Sequence, residues 1–455
     1  MKSDWSKAKL SDFIKIKHGY AFKGKYITLT PSEYIVLTPG NFKIGGGFNS
    51  SKFKYYENSD FPNSYILNDN DLIVTMTDLS KAGDTLGYAA KVPVSSGNIK
   101  YLHNQRIGLV ELKNDIIKKD YLYWLMRTRK YQNYIVNTAT GSTVKHTSPS
   151  RILDYECYFP TNINEQKNIV NILTALEDKI ELNKKINQTL ESIAQAMFKS
   201  WFVDFDPVHA KANANSEDEY DAIAKELGIS REILDLFPSE FEESELGLIP
   251  KGWTVDEIGN AIKTVGGGTP STKNKDYWDG GDISWSTPKD LSSLSFPVLL
   301  DTERKITEQG LKKISSGLLE EGTLLLSSRA PIGYTAISQI PVAINQGFIA
   351  IPPNQKLSNI FLLYWINNSL DVIKNYSGGT TFQEISKKNF RLIKLILPGD
   401  NILNAFSKSA QNLFDSIVMN EMENKTLVKI RDLLLPKLLS GEIDVSNLNL
   451  EPEND

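Results

Sequence analysis

A long helical pattern constrains this chain more than any other feature of its sequence. Between Glu165 and Trp201 there is no glycine and no proline. Apolar residues recur there in alternating steps of four and three, at Ile169, Leu173, Leu176, Ile180, Leu190, Ala194, Met197 and Trp201. This spacing is a heptad seam, which predicts a helix that packs against a second helix along its length.

The second helix is found 237 residues further along the chain. The same spacing falls there on Phe406, Ala410, Leu413, Ile417, Leu427, Arg431, Leu434 and Leu438. Two further seam positions of each helix hold asparagine: Asn183 and Asn187 in the first helix, Asn420 and Asn424 in the second. Because polar seam residues cost stability and tend to fix register, we predict that these four asparagines set the register of the pair.

The sequences before the two helices also repeat. Asn104-Gln105 recurs as Asn345-Gln346, and Tyr123-Trp124 recurs as Tyr364-Trp365. A nearly constant offset through several elements predicts two copies of one unit, each a mixed α/β globule followed by a long helix. The fold class is therefore α+β, with two similar mixed α/β domains and two long helices.

The boundaries follow from this repeat and from a shift in composition between the copies. We predict a first domain at residues 1–162, a first long helix at 163–205, an acidic connector at 206–250, a second domain at 251–398, a second long helix at 399–445 and a C-terminal tail at 446–455. The connector, punctuated by Pro207, Pro238 and Pro250, is expected to be only partly ordered.

Three local expectations concern individual residues. A single helix should run from Tyr121 to about Ile135. Leu153, Tyr155, Cys157 and Phe159 alternate with acidic residues, which predicts a half-buried strand with Cys157 in the core. Trp285 is expected to be a core residue, although an aromatic side chain in an interface is the alternative.

Composition limits the compartment and the chemistry. No apolar run approaches the ~18 residues that a membrane span needs, and the first residues lack the apolar core of a signal peptide. A single cysteine fits a reducing compartment, so we expect a cytoplasmic protein. The four histidines lie far apart, which argues against a histidine-based metal site.

Charge is distributed unevenly. Residues 1–160 hold 22 lysines and arginines against 14 aspartates and glutamates, and residues 251–398 hold 16 against 13, whereas residues 206–250 hold 3 against 12. Such asymmetry points to a polyanionic partner for the basic segments. Ordinary surface lysine is the alternative, and it explains the second basic segment better than the first.

Four stretches carry a resemblance to a known family. They are the helix entry Asn164-Glu-Gln-Lys-Asn-Ile-Val, the helix exit Met197-Phe-Lys-Ser-Trp-Phe-Val-Asp-Phe-Asp-Pro-Val, the end of the connector Glu245-Leu-Gly-Leu-Ile-Pro-Lys-Gly-Trp, and Gly266-Gly-Gly-Thr-Pro with Ile385-Ser-Lys-Lys-Asn-Phe. Over nearly its whole length the chain resembles the specificity subunit of type I restriction–modification systems.

The resemblance implies two target-recognition domains separated by two antiparallel helices, each domain reading one half of a split double-stranded DNA site. The helices would dock two modification subunits and, through them, restriction subunits. S-adenosylmethionine, ATP and Mg²⁺ are expected on those partners and not on this chain. In agreement, we find neither a nucleotide-binding glycine loop nor the Asn/Asp-Pro-Pro-aromatic motif of adenine methyltransferases.

Candidate DNA contacts are polar and basic side chains in equivalent loop-rich segments of both copies. In the first domain they are Lys23, Lys25, Lys43, Lys52, Lys54, Tyr55, Lys81, Thr143, Lys145 and His146. In the second domain they are Thr269, Ser271, Lys273, Asn274, Lys275, Ser286, Thr287, Lys289, Arg329, Thr380, Thr381 and Gln383.

Candidate contacts to modification subunits are apolar residues on the long helices but off the seam, since exposed apolar patches usually mark interfaces. They are Ile172, Ile186, Ile193, Phe198, Phe202, Phe414, Met422 and Leu435. Coverage by the chain's own domains is the alternative, especially near the helix ends.

Helix length predicts a spacing. Residues 165–200 would form a helix of about 54 Å at ~1.5 Å per residue, which matches roughly 16 base pairs at ~3.4 Å each.

Two other function classes compete with a DNA-specificity subunit: a coiled-coil scaffold whose domains bind partners other than nucleic acid, and a self-sufficient restriction or methyltransferase enzyme. The basic first domain opposes the scaffold, and the missing motifs oppose the enzyme.

Overall fold

The computed structural model describes residues 5–353, 356–379 and 383–448. The chain divides into two compact units, one formed by Met1–Ile180 with Thr426–Asp455 and the other by Glu181–Lys425. Each unit contains one globular domain and part of each long helix. Among the described residues, no helix is long and apolar enough to cross a membrane.

The first domain is built from short strands and three helices. Its strands are β1 (Trp5–Lys9), β2 (Ile14–His18), β3 (Ile27–Thr28), β4 (Tyr34–Val36), β5 (Tyr55–Tyr56), β6 (Ile66–Leu67), β7 (Leu72–Thr75), β8 (Thr77–Asp78), β9 (Ala89–Lys91), β10 (Lys100–Leu102), β11 (Ile107–Leu112), β12 (Lys145–His146) and β13 (Glu156–Pro160). Its helices are α1 (Lys119–Leu125), α2 (Arg129–Thr138) and α3 (Pro149–Leu153). The long helix α4 (Ile163–Phe202) follows.

The second unit continues with the acidic segment and the second domain. The acidic segment holds α5 (Asp206–Asn213), α6 (Tyr220–Glu226), α7 (Arg231–Asp235), β14 (Phe241–Ser244) and β15 (Gly247–Pro250). The second domain holds β16 (Thr254–Glu257), α8 (Ile258–Ala261), β17 (Ile283–Ser286), α9 (Pro288–Ser292), β18 (Val298–Leu299), β19 (Arg304–Ile306), α10 (Glu308–Leu311), β20 (Leu324–Ser327), β21 (Thr335–Ser338), β22 (Ala343–Ile344), β23 (Phe348–Ile351), α11 (Asn359–Asn368), α12 (Leu370–Asn375), α13 (Lys387–Arg391) and β24 (Lys394–Leu397). The long helix α14 (Asp400–Leu439) ends the fold.

Sheet topology confirms the internal repeat. The antiparallel order β11-β7-β9 in the first domain recurs as β23-β20-β21 in the second. The parallel pair β4–β10 recurs as β17–β22, and the closing pair β1–β13 recurs as β16–β24. The copies differ at the edges of this sheet. In the second domain, a single bridge between Val265 and Ala350 takes the place of β2. The second domain also has an additional strand, β18, paired with β21.

The two long helices pair in antiparallel fashion within each unit. In the first unit, Asn168 donates to the carbonyl of Val445 (2.8 Å) while Glu177 meets Arg431 (2.8 Å). In the second unit, Asn187 meets Asn420, and the rings of Phe198 and Phe406 lie 5.6 Å apart. In both units, the residue number of the contacting partner falls as the residue number along α4 rises. The predicted seam and its antiparallel direction are therefore confirmed.

The predicted asparagines form a buried polar layer in the second unit. Asn183 and Asn187 are fully buried. The Asn183 amide donates to Glu423 (2.7 Å) and to Asn424 (3.1 Å), and the Asn187 amide donates to Glu421 (3.0 Å). Because a shift of either helix would leave these amides buried without partners, the layer favours one register.

In the first unit a buried ionic cluster occupies the helix pair. The Glu177 carboxylate lies 2.8 Å from Arg431 and 3.4 Å from Arg127, whose side chain is only 4% exposed. Arg127 also donates to the Tyr123 hydroxyl and to the carbonyl of Gly45. Positions 414 and 194, the counterparts of Glu177 and Arg431 at the offset of 237, hold Phe414 and Ala194, which belong to the apolar core of the second unit.

Two local predictions in the first domain need correction. The predicted helix from Tyr121 to Ile135 is two helices, α1 and α2, because Thr128 has an extended backbone and its hydroxyl accepts a hydrogen bond from Tyr131 as the N-cap of α2. Leu153 ends α3, so the closing strand begins only at Glu156. Cys157 is buried in the core as predicted, and burial raises the pKa of its thiol to about 12.

The acidic segment is folded, contrary to the expectation of a partly ordered connector. Its apolar residues Val208, Leu234 and Phe237 are buried in the core of the second unit. The buried Lys211 donates its ammonium to the carbonyls of Leu234 and Phe237. These bonds satisfy carbonyl groups at the end of α7, which a flexible linker would leave to water.

Candidate nucleic-acid interface

In both domains, a glycine lies in close contact with a turn of the chain at the equivalent place in the fold. A Cβ atom on Gly19 would lie 2.2 Å from the carbonyl oxygen of Asn104, and one on Gly267 would lie 1.9 Å from that of Ile344. The residue after each glycine donates its amide to the facing strand: Tyr20 to His103 (2.8 Å) and Gly268 to Ile344 (3.0 Å). Only glycine fits at either position.

The turn opposite each glycine has the same internal hydrogen bond. The Asn104 side chain accepts from the backbone amide of Arg106 (3.0 Å), and the Asn345 side chain accepts from that of Gly347 (2.8 Å). Asparagine favours such turns because its short side chain imitates a backbone acceptor. Between the two bonded residues stand Gln105 and Gln346, and both are exposed.

A loop after a buried strand completes the corner in both domains. Met76 donates to the carbonyl of Arg106 (2.9 Å) and accepts from Thr147 (3.0 Å). Ser328 likewise donates to Gly347 (2.8 Å) and accepts from Ile385 (3.0 Å). Beside these bonds the Thr77 hydroxyl lies 3.1 Å from His146 Nδ1 in the first domain, and Arg329 lies 3.5 Å from the Glu384 carboxylate in the second.

We call these equivalent surfaces the first and second strand-end clusters. The first comprises Tyr20, Gln105, Arg106, Thr77 and His146, and the second comprises Thr269, Gln346, Arg329 and Glu384. Each cluster therefore joins four separate segments of its domain at one place. Arg329 corresponds to Thr77, because each follows the residue that bonds to the turn, Ser328 or Met76.

The first strand-end cluster gathers several predicted contacts. Strand β12 pairs with β8, so Lys145 faces Asp78 and His146 faces Thr77. Burial raises the pKa of Asp78, but hydrogen bonds from Ser80 and Thr85 outweigh it and lower the pKa. Asp78 thus folds the loop that presents the exposed Lys81, while Thr143 is exposed in the loop before β12.

A second group of predicted contacts lies along the strand pair β3–β5. Lys23, Lys25, Lys52 and Lys54 are exposed, and Tyr55 is half-buried opposite Thr28. This lysine patch adjoins the first cluster through an aromatic core, in which the rings of Tyr20 and Tyr56 lie 5.1 and 5.0 Å from that of Phe22. Lys43 is not part of it, because its loop packs against Arg127 on the side facing α4.

In the second domain two tryptophans support the glycine loop. The buried Trp285 donates its indole N–H to the carbonyl of Gly268, and Trp278 donates to that of Ser271, both at 3.1 Å. Trp285 is thus a core residue, as predicted. The supported loop presents Thr269, whose hydroxyl donates to the Gln346 side chain (2.6 Å), and Ser271, Lys273 and Lys275 are exposed beyond it.

Three predicted contacts of the second domain have structural roles within that domain. Ser286 is fully buried and its carbonyl accepts from Asn345. The Thr287 hydroxyl donates to Asp290 at the start of α9 (2.8 Å). The Asn274 side chain accepts from Asp276 (3.1 Å) as a helix cap. Small polar residues serve as caps and as base contacts alike, so their sequence does not separate the two roles.

Two of the remaining predicted contacts of the second domain border a groove of about 440 Å³. Lys289 and Arg329 line it together with Asn345 and Gly347. Lys289 pairs with Glu303 (2.8 Å), an exposed ion pair that a phosphate could displace at little cost. Gln383 is exposed beside Glu384, whereas Thr380 and Thr381 lie outside the described residues.

Sequence reasoning missed Thr77, Gln105, Arg106, Gln346 and Glu384 as site residues. The repeated Asn-Gln pair was the available signal, although it serves equally well as a marker of the repeat. Glu384 had no signal in the sequence, because its position opposite Arg329 depends on pairing between segments 55 residues apart.

The predicted partner-binding residues divide into two groups. Phe198, Phe414 and Leu435 are buried within this chain, and Ile172 and Phe202 are partly buried against its core, so these five do not form an exposed patch. They are covered by the chain itself: Phe198, for example, packs on Phe361 at 5.4 Å. Ile186, Ile193 and Met422 are 40%, 48% and 47% exposed, and the more exposed Leu182 and Met419 on the same helices were missed.

Comparison with known proteins agrees with this architecture. The family model described as the type I restriction modification DNA specificity domain matches residues 2–192 and 250–426, one match over each copy. The chain belongs to the type I restriction–modification specificity subunits.

This specificity subunit has relatives that match most of its length and others that match less than half of it. It is 30% identical over 427 residues to the type I restriction enzyme HindI specificity subunit of Haemophilus influenzae, covering 85% of this chain and 92% of that one. It is 38% identical over 195 residues to the MjaIX specificity subunit of Methanocaldococcus jannaschii, covering 42% and 45%. The crystal structure of a type I S subunit from M. genitalium shares its fold, with a TM-score of 0.54, 17% identity and coverage of 96% and 98%.

Proposed function

We propose that this specificity subunit directs a type I restriction–modification complex to a bipartite DNA site, each domain reading one half-site through its strand-end cluster. The observation that supports this most is the duplication of that cluster, with the same glycine contact and the same asparagine turn in both domains. A pair of equivalent surfaces that share this framework but differ in most of their exposed side chains suits two related half-sites of different sequence.

The chemistry is assigned to partner chains in this proposal. Modification subunits would supply S-adenosylmethionine and methyl transfer, and restriction subunits would supply ATP hydrolysis with Mg²⁺. The exposed apolar residues Leu182, Ile186, Ile193, Met419 and Met422 on the long helices are the surface we assign to modification subunits.

The test is to map methylated adenines in a genome that carries the complete system, and then to measure binding of the assembled complex to a duplex with the mapped site. A split site bound with steep salt dependence is expected. An undivided site, or binding that does not weaken as salt rises, would exclude this function.

The basic residues around the first cluster should contribute by neutralising phosphates. Changing Lys81 and Lys145 together to alanine should lower affinity for specific and unrelated DNA alike, and should reduce the slope of log affinity against log salt by roughly 0.9 for each phosphate that is no longer neutralised. The matched control changes Lys7 and Lys9 of β1, which are exposed and paired with Glu156 and Asp154. Equal slopes for the two double variants would contradict the assignment.

Helix length should set the spacer between half-sites. Four residues inserted near Asn183 would lengthen α4 by about 6 Å, so we expect the methylated site to gain one or two base pairs of spacer at ~3.4 Å each, with both half-sites unchanged. Four residues inserted at Gly97, where a side chain would meet open space, are the control and should leave the spacer as it was. An unchanged spacer in the helix variant rules out this role for α4.

A further inference from the structure

We propose that Gln105 and Gln346 each read an adenine in the major groove, one in each half-site. This rests on the proposed function and adds to it the residues that read a base and the base they read. Neither residue is among the contacts that the sequence predicts, and the case for them comes from position, presentation and chemistry.

The first argument is position. Each glutamine is the middle residue of an asparagine turn, one residue after Asn104 or Asn345. Each turn is held on one side by the glycine contact and on the other by the loop after a buried strand. The backbone of each turn is thus bonded to two other segments, which is the rigid support that a base-reading side chain requires.

The second argument is presentation. Apart from the exposed Arg106, the other residues of each turn are buried or half-buried, whereas the glutamine side chains are exposed. The turn therefore has little to gain in stability from a glutamine at this point. A long, uncharged side chain raised above a rigid turn on a basic surface suits contact with a base edge better than contact with phosphate.

The third argument is chemistry. A primary amide offers one acceptor and two donor hydrogens, which match N6–H and N7 on the major-groove edge of adenine. In the second domain the Thr269 hydroxyl donates to Gln346 Oε1 at 2.6 Å, which orients the amide and leaves Nε2 to donate outward. The second lone pair of Oε1 remains available to accept from adenine N6, so both bonds to adenine can form while Thr269 stays bound.

Because both domains carry the same side chain at the same place, each half-site should contain an A·T pair at the equivalent position. The residues beside the glutamines differ between domains: Arg106, Thr77 and His146 in the first, Gly347, Arg329 and Glu384 in the second. On this view the glutamines read what the half-sites share, and their neighbours read what distinguishes them.

The experiment uses the assembled complex and duplexes that carry the mapped site. Adenines of each half-site are replaced one at a time by 7-deazaadenine, which keeps base pairing but removes the N7 acceptor. For the unchanged protein, one replacement in each half-site should lower affinity by about 5- to 150-fold, the range for a bidentate amide–adenine contact. Gln346→Ala should lose a similar factor on the natural duplex and become insensitive to the replacement in one half-site only. Gln105→Ala should do the same in the other.

The controls separate base reading from folding and from general DNA affinity. Gln309→Ala changes an exposed glutamine of α10 and should have no effect on discrimination. Since both glutamine side chains are exposed, the variants should keep the melting temperature and the salt dependence of the unchanged protein. Thr269→Val should weaken recognition of the same half-site as Gln346→Ala, and Thr269→Ser should retain it.

The outcomes are distinct for the two proposals. If the unchanged complex shows no preference for the mapped site, the proposed function fails. If it discriminates normally but Gln105→Ala and Gln346→Ala remain as sensitive to 7-deazaadenine as the unchanged protein, the function stands and the glutamine assignment is wrong. Weaker binding to unrelated DNA by the same factor would also overturn the assignment, because it would mark a phosphate contact.

Discussion

Gly267→Ala is expected to abolish recognition of one half-site while leaving the other intact. The added methyl group would lie 1.9 Å from the carbonyl oxygen of Ile344 and 2.5 Å from that of Asn345. Both atoms are backbone, and Ile344 is held in the parallel pair with β17. The glycine loop or the asparagine turn must therefore move, and either movement displaces Gln346 and Thr269 together.

The expected size follows from overpacking. Extra atoms forced into a packed site cost roughly 1–3 kcal/mol or more, and we expect the second unit to lose about that much stability. Half-site recognition should fall further, since a displacement of about 1 Å breaks directed hydrogen bonds. Denaturation curves and a methylation map of the variant system measure the two effects.

The neighbouring glycine provides the matched control. A Cβ atom on Gly268 would meet its nearest neighbour at 3.9 Å, an ordinary van der Waals distance, so Gly268→Ala should be nearly neutral. In the first domain, Gly19→Ala should act as Gly267→Ala does, with Gly24→Ala as the control, because nothing lies within 4 Å of that position. If the clashing and the open positions behaved alike, the glycine contact would have no part in the site.

Glu177→Ala should destabilise the first unit by about 3–5 kcal/mol, the usual cost of breaking a buried ion pair by removing one partner. Glu177 is the carboxylate between Arg127 and Arg431, whose side chains are 4% and 16% exposed. Without it, the buried guanidinium group of Arg127 and the half-buried one of Arg431 remain near each other with less compensating charge. Chemical denaturation followed by a probe in the first unit measures the change.

The same carboxylate predicts how stability depends on pH. Burial raises the pKa of Glu177, but the charges of Arg127 and Arg431 outweigh burial, and the pKa in the folded state is below its ordinary value. A carboxylate with a lowered pKa stabilises the fold above the pKa of the unfolded chain, about 4.3, and this contribution is lost as pH falls toward the folded value. The unchanged protein should therefore lose stability on acidification below about pH 5, and Glu177→Gln should show less of that dependence.

The second unit indicates how the cluster could be replaced without destabilising the fold. Positions equivalent to Glu177, Arg431 and Arg127 hold Phe414, Ala194 and Asn368 there. Well-packed apolar groups in place of a buried ion cluster are often neutral or stabilising. The triple variant Glu177→Phe, Arg431→Ala, Arg127→Asn should therefore be more stable than Glu177→Ala. A triple variant as unstable as the single one would show that the cluster's geometry, and not its charge balance, holds the first unit.

The parts of this fold that the sequence predicts are those governed by local periodicity. The heptad spacing predicts the seam from Ile169 to Trp201, and each seam residue is buried or half-buried as expected. The offset of 237 to 241 predicts the duplicated domain because it persists through helix, strand and loop alike.

The site was less predictable because it depends on which distant segments meet. Ser286 and Lys145 look equally suitable as contacts in sequence, yet Ser286 is enclosed by its sheet while Lys145 extends from a loop strand. Phe198 and Ile193 both lie off the seam, and only the fold shows that α11 covers Phe198. Gln105 was visible throughout, but its role required knowing that Gly19 supports its turn.

The division of the chain into units has a practical consequence for engineering new specificities. The units part within the long helices, between Ile180 and Glu181 and between Lys425 and Thr426, and not at the domain edges. A recognition domain transplanted from a relative would bring its own matching stretch of both helices if the chimaera were joined at these two points. Junctions placed at residues 162 and 398 would instead pack the transplanted domain against helix surfaces that fit the original domain.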